Sequence, residues 1–230
     1  MTVADTLAKF IVRSLMIQYS IILIFLQKKY HSLNESLLLL TDQSDKLYYP
    51  FVSVLNPSKE VTTEYLIIIR QKYFYLNEIT SSVTQFYSMP LIFSMGYYYL
   101  GVVYSGYLFM SEINDLINGN PNFASCAIFG FWALLCTYPA IALTNSVTSV
   151  ISEINRTGSI IYKLEAVYST HTGIKYELEQ FSMELLHKNI SFTAHEMIPL
   201  DNTLLTSVFG SVVTYIIILL QSSYNTRKSY

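Results

Sequence analysis

Hydrophobic and polar positions along this chain fall into two alternating regimes. Three stretches lack Asp, Glu, Lys and Arg altogether: Glu78 to Glu112, Asp115 to Glu153, and Asp201 to Arg227, each around a strongly apolar centre. A helix of about 20 mostly apolar residues crosses the hydrocarbon core of a bilayer. The three stretches therefore predict spans over residues 88–110, 122–150 and 203–222. A fourth run, Phe10 to Gln27, carries Arg13 near its start, where a long side chain can reach the headgroups. It predicts a span over 10–27, with Lys28 and Lys29 as its stop-transfer flank. No small-residue cleavage site follows Ile21 to Leu26, so the run does not have the form of a signal peptide.

Between these spans the pattern becomes amphipathic. In "KKYHSLNESLLLL" the residues Tyr30, Leu33, Leu37 and Leu40 recur at helical spacing, so the first span continues out of the bilayer as a helix. Pro50, Asn56 and Pro57 then break the chain, and a helical pattern resumes from Thr62 and runs into the second span, with Pro90 near the membrane surface. Gly158–Tyr168 and Tyr176–Lys188 read as two further helices separated by "STHTG". The second sets Leu178, Phe181 and Leu185, flanked by Met183 and Leu186, against Glu177, Glu179 and Glu184. Such a stripe packs either on the other helices of its own chain or on another subunit. The fold class expected is all-α: one polytopic membrane bundle spanning 1–230, with helical extensions over 28–87 and 153–202.

Composition agrees with that class and charge orients it. Of 230 residues, 52% are hydrophobic and 13% charged, which is ordinary for a membrane protein and unusual for a soluble domain. If Gln27 emerges in the cytoplasm, the inside segments hold ten of the 14 basic residues, Lys28, Lys29, Lys46, Lys59, Arg70, Lys72, Arg156, Lys163, Lys175 and Lys188. The short loop from Ser111 to Pro121 has two acids and no base, which puts it and both chain ends outside. The glycosylation sequons at Asn34, Asn155 and Asn189 pull the other way, because all three fall on the side read as cytoplasmic.

Little in the chain resembles catalytic chemistry. "HEMIP" at His195 starts like a zinc protease signature, but Pro199 stands where the second histidine ligand belongs. Cys126 and Cys136 lie ten residues apart in one span and read as buried thiols. No catalytic residue, metal site or cofactor is expected, and nothing points to nucleic acid. Tyr97, Tyr98, Tyr99, Tyr104 and Tyr107 crowd the second span and Trp132 lies in the third. They read as interfacial anchors or, where deeper, as walls of a ligand cavity in the outer half of the bundle.

The last span is the most informative. Ser207, Ser211, Thr214, Ile218 and Gln221 follow one another in steps of four, three, four and three, which keeps them on one helix face. A polar stripe on an uncharged span either packs against a neighbouring helix or lines water. The bulk and amide of Gln221 favour water.

The stretch from Phe181 to Gln221 resembles the C-terminal signature of the insect gustatory receptors: a Leu-Asp pair, here Leu200 and Asp201, then Thr-Tyr, five apolar residues and Gln, here Thr214, Tyr215 and Gln221. "YHSLNESL" and "LIIIRQKYFYLNEITSSVTQFYSMPLIFS" are similar to that family's segments after the fourth span and leading into the fifth. The resemblance covers the chain as the last four of seven spans. It implies a tetrameric, ligand-gated, nonselective cation channel in the plasma membrane, with a cytoplasmic N-terminus for the full-length family member and an extracellular C-terminus. It also implies that the last helices of four subunits surround the pore, that cytoplasmic helices hold the subunits together, and that a small-molecule tastant is the ligand. By motif position Gln221 falls at the constriction and Ile218 at a hydrophobic gate, while Ser222 stands where the family usually has Phe. Ser207, Ser211, Thr214, Ile218, Gln221 and Ser222 are thus the expected pore lining, and Tyr98, Tyr104 and Trp132 the expected ligand contacts.

Nothing here corresponds to the family's first three spans, so a fragment, a short isoform and a decayed member are all compatible with the sequence. Two functions follow. One is a channel subunit gated by a tastant; the other is a truncated, non-conducting subunit that assembles with full-length homo- or hetero-tetrameric partners and modulates them. A G-protein-coupled receptor is disfavoured by the orientation.

Overall fold

A computed structural model describes residues 3–47, 59–117, 123–187, 192–194, 198–200 and 202–228. Five helices account for almost all of them: α1 (Val3–Leu47), α2 (Lys59–Ile117), α3 (Phe123–Val167), α4 (Thr172–His187) and α5 (Asn202–Lys228). Two-residue strands β1 (Thr193–Ala194) and β2 (Ile198–Pro199) pair antiparallel just before α5, with Thr193 opposite Pro199 and Ala194 opposite Ile198. The fold class is all-α, as the periodicity predicts. The break expected around Pro50, Asn56 and Pro57 lies outside the described residues, as do His195 and Glu196 of the protease-like motif and Asp201 of the Leu-Asp pair.

The 45 residues of α1 and α3 and the 59 of α2 exceed any bilayer crossing. At 1.5 Å per residue, 45 residues extend about 68 Å against a hydrocarbon core of about 30 Å. A helix of that length that crosses a membrane extends beyond the hydrocarbon core. By length and composition, Phe10–Leu40 of α1 and the whole of α3 suffice to cross a membrane, and α5 has a shorter apolar core, Thr206–Leu219. The second predicted span is uncharged, but its tyrosines and glycines make it less apolar than these. Pro90 and Pro139 stand inside α2 and α3, and both helices continue through them.

The contacts divide the chain into two units. The first comprises Met1–Ile21, Gln85–Val147 and Phe192–Tyr230; the second comprises Ile22–Thr84 and Thr148–Ser191. This geometric division coincides with the charge division: the second unit holds ten of the 14 bases and eleven of the 16 acids. In the first unit Met16, Leu91, Leu143 and Val147 are fully buried, and Tyr19 stacks on Tyr87 with ring centroids 4.9 Å apart. Hydroxyls in its interior are satisfied within their own helices, Ser94 donating to the carbonyl of Pro90 and Thr144 to that of Ala140. That arrangement lets small polar residues sit where no water reaches.

The second unit is built on aromatic and polar contacts together. Tyr73 lies at the centre, 5.6 Å from Tyr30 and 5.5 Å from Phe181 between ring centroids, both edge-on. Around it Leu37, Leu66, Ile161, Leu164 and Leu178 are buried. On α4, Ile174, Leu178 and Phe181 form the buried face, whereas Met183 and Leu186, expected on the flank of that stripe, are exposed. On α1 the buried stripe runs Tyr30, Asn34, Leu37 and Leu40; Leu33 is only half-buried, and the polar Asn34 takes its place inside.

Candidate functional site

The expected pore residues all belong to α5. Phe192 and Leu200 are buried just before it, and the Leu200 amide donates to the Phe192 carbonyl at 3.0 Å, so the residue of the Leu-Asp pair that is described anchors the entry to the helix. Beyond it α5 packs on α2 through one side. Val212 is buried, Tyr215 meets Tyr99 edge-on at 6.4 Å, and a methyl placed on Gly106 would lie 2.6 Å from the Ile216 Cδ1. At 100° per residue the polar stripe is centred about half a turn away from Val212 and Ile216.

Side chains of the stripe are correspondingly unburied. Ser207, Thr214, Ile218 and Gln221 are exposed and Ser211 is half-buried. Ser207 donates to the Thr203 carbonyl, Ser211 to that of Ser207 and Thr214 to that of Gly210, at 2.9 to 3.0 Å. Those hydroxyls need no outside partner. The Gln221 amide cannot close on its own helix in this way, and among the described residues it has no partner. The side chain of Ser222 lies outside the described residues. Phe209, Val213 and Ile217, away from the stripe, are also exposed, so solvent accessibility in the single chain does not by itself separate a pore face from a lipid face.

The three expected ligand contacts have different surroundings. Tyr98 is buried, Tyr104 is exposed, and Trp132 is half-buried under Arg13, whose Cζ lies 5.6 Å from the ring centroid. Phe109 of α2 closes on α3 beside it, its Cε2 3.0 Å from where a methyl on Gly130 would lie. The Arg13–Trp132 pair went unseen in the sequence, although an arginine within an apolar run was the available signal.

A second cluster missed by sequence reasoning holds the other unit together. Asn34, with no exposed surface, donates to the Glu153 carbonyl at 2.9 Å and to its carboxylate at 3.0 Å, and accepts a hydrogen bond from Thr157 at 2.7 Å. The Nδ1 of His31 lies 3.2 Å from the Glu153 carboxylate and 3.1 Å from Arg156, which also pairs with Glu35 at 2.8 Å. Burial opposes the Glu153 charge, but the hydrogen bonds from Asn34 and His31 and the charges of His31 and Arg156 outweigh it and hold its pKa below the ordinary carboxylate value. Burial also pushes the Tyr73 phenol up to about 12 and raises that of Tyr30. Arg70 of α2 reaches α4, pairing with Glu177 at 3.1 Å and donating to Gln180. Among the described residues no group of His, Cys, Asp and Glu is arranged to hold a metal.

A profile described as 7tm chemosensory receptor matches residues 2–226. Gustatory receptor 28b of Drosophila melanogaster is 26% identical over 156 residues, 66% of this chain and 33% of that protein. Gustatory receptor 68a of the same organism is 23% identical over 158 residues, 68% of this chain and 39% of that protein. The matched stretch thus spans well under half the length of either relative. With an all-helical fold, helices long and apolar enough to cross a bilayer, and a family match over nearly its whole length, the chain belongs to the seven-transmembrane chemosensory receptor family.

Proposed function

We propose that this chain is a gustatory-receptor-type subunit of a tastant-gated, nonselective cation channel, with α5 lining the pore. The observation that carries the reading is the opposition of the two faces of α5: Val212 and Ile216 bind the helix to its own chain, and Ser207, Ser211, Thr214, Ile218 and Gln221 face away. Four such helices around an axis would bring the Gln221 amides together around water, with Ile218 one turn deeper as a hydrophobic gate and Ser222 beside the constriction. The first unit holds most of the membrane part, with spans at 10–27, 88–110, 122–150 and 203–222, the first and third of which end a few residues inside the second unit. The second, rich in charge, is the cytoplasmic part that assembles with related subunits as a homo- or hetero-tetramer. Both chain ends are then extracellular in the plasma membrane. Burial of the Asn34 sequon supports this side assignment, since no glycan fits on an amide with no exposed surface.

Tastant binding near Tyr98, Tyr104 and Trp132, in the outer half of the bundle, opens the gate only if the open state binds it more tightly. The second reading is a non-conducting subunit that assembles with full-length relatives and lowers their current. The exposed Met183 and Leu186 on α4 favour it. Patch-clamp recording of the chain alone, and with a full-length relative, against a tastant panel separates the two. Current from the chain alone that changes with Gln221→Ala supports the channel; silence alone with suppression of the relative's current supports the modulator and contradicts conduction by this chain.

A further inference from the structure

We propose that Arg13 and Trp132 form a binding site for an oxyanion at the membrane face of the first unit. Arg13 is the only charged residue between Phe10 and Gln27, and its neighbours along the helix surface, Phe10, Ile17, Ile21 and Ile24, are exposed and apolar. A guanidinium there meets two demands. Its charge must be offset in a medium of low dielectric, and its five N–H donors must find acceptors. Trp132 answers the first in part, through the attraction of a cation to an indole ring. It offers no acceptor for the second, and among the described residues no carboxylate pairs with Arg13.

What fits is a carboxylate or phosphate. Either accepts two parallel hydrogen bonds from a guanidinium, a fork that a lysine ammonium cannot reproduce. Half-burial places Arg13 on the edge between the packed face of α1, which carries Met16, Tyr19 and Leu23, and the exposed apolar stripe. An occupant can therefore enter from the lipid side, its anionic group on Arg13 and its apolar body against Trp132 and Ile17. A phospholipid headgroup and a small organic acid share this chemistry. The proposal rests on α1 and α3 being membrane helices, and it does not depend on α5 forming a pore.

The chain has one tryptophan, so indole fluorescence reports on this site alone. The full chain, purified in a phosphate-free maltoside detergent, is titrated with sodium hexanoate, with hexanol as the uncharged match, and separately with phosphatidylglycerol against diacylglycerol. A saturable change in Trp132 emission with either anion, absent with its neutral match, lost in Arg13→Gln and about tenfold weaker in affinity in Arg13→Lys, is expected. Displacement of hexanoate by phosphatidylglycerol identifies a site that a headgroup also occupies; a response to hexanoate alone identifies a soluble acid. A response that is absent with both anions, or equal in wild type and Arg13→Gln, overturns the proposal. If Arg13→Gln does not fold, undiminished affinity in Arg13→Lys overturns it in the same way. Because the readout is fluorescence, failure of the channel to conduct leaves this result intact, and the two readings fail separately.

Discussion

Asn34 illustrates how a single polar residue can be read two ways. In the sequence it is the start of a sequon and an interruption in an apolar stripe; in the fold it is the link between α1 and α3, bonded to Glu153 and Thr157 with no exposed surface. Helical spacing alone admits Leu33 and Asn34 equally to the inner face, and only the partners on α3, more than a hundred residues away, decide between them. Non-local pairing of this kind is what a single sequence conceals; the pairs of Arg70 with Glu177 and Arg13 with Trp132 were hidden for the same reason. Asn34→Ala leaves the Glu153 carboxylate and the Thr157 hydroxyl short of a partner and should cost about 1–3 kcal/mol. Ser36→Ala, whose hydroxyl bonds only to its own helix, should cost less than about 0.5 kcal/mol. Thermal unfolding of the purified chain in detergent checks both. The sign of the pH dependence follows from Glu153. Its folded pKa is depressed, so its contribution is present above the ordinary carboxylate pKa and is lost as pH falls through the folded value. The acid limb of stability should therefore be shallower in Asn34→Ala than in wild type. Tyr73, raised to about 12, acts on the other limb: its contribution holds below the ordinary phenol pKa of 10 and is lost as pH rises through 12.

At the scale of elements, the helices were legible in outline because apolar length and helical spacing are local properties. The continuation of the first span into an amphipathic helix, the helices on either side of "STHTG", and the stripe on α5 all come from spacing within one segment. What spacing could not supply is which side of α5 meets its own chain. Gly106 marks that side, since a methyl placed on it would meet the end of the Ile216 side chain at 2.6 Å. Gly106→Ala pushes only the flexible end of the Ile216 side chain, and the gain in helix propensity of about 1 kcal/mol offsets the disturbance. Gly106→Val adds two further methyls beside Ile216 and should destabilise by about 1–3 kcal/mol, through overpacking at the α2–α5 contact. Melting of the two variants in the same detergent checks the contrast: a near-neutral alanine and a destabilising valine are expected, while equal effects would contradict a tight joint at Gly106.

For the whole molecule, the charge distribution and the contact geometry give the same partition by independent routes. Bases and acids concentrate in the unit of Ile22–Thr84 and Thr148–Ser191, and the apolar helix segments concentrate in the other. The membrane class was legible because it depends on composition summed over long stretches. Assembly leaves no such trace, because among the described residues the hydroxyls of the α5 stripe are satisfied on their own helix. The central claim is that this stripe faces water in the assembled protein. Ile218 and Val213 are almost equally exposed in the single chain, at 52% and 51%, so only assembly can distinguish them. The direct measurement is the rate at which a membrane-impermeant, charged methanethiosulfonate reagent modifies single cysteines along α5, in cells, with Cys126 and Cys136 replaced by serine. Faster reaction of Thr214→Cys, Ile218→Cys and Gln221→Cys than of Phe209→Cys and Val213→Cys is the predicted result. Equal rates in the two sets, or protection of the stripe with reaction at Phe209→Cys and Val213→Cys, would contradict a pore lined by α5.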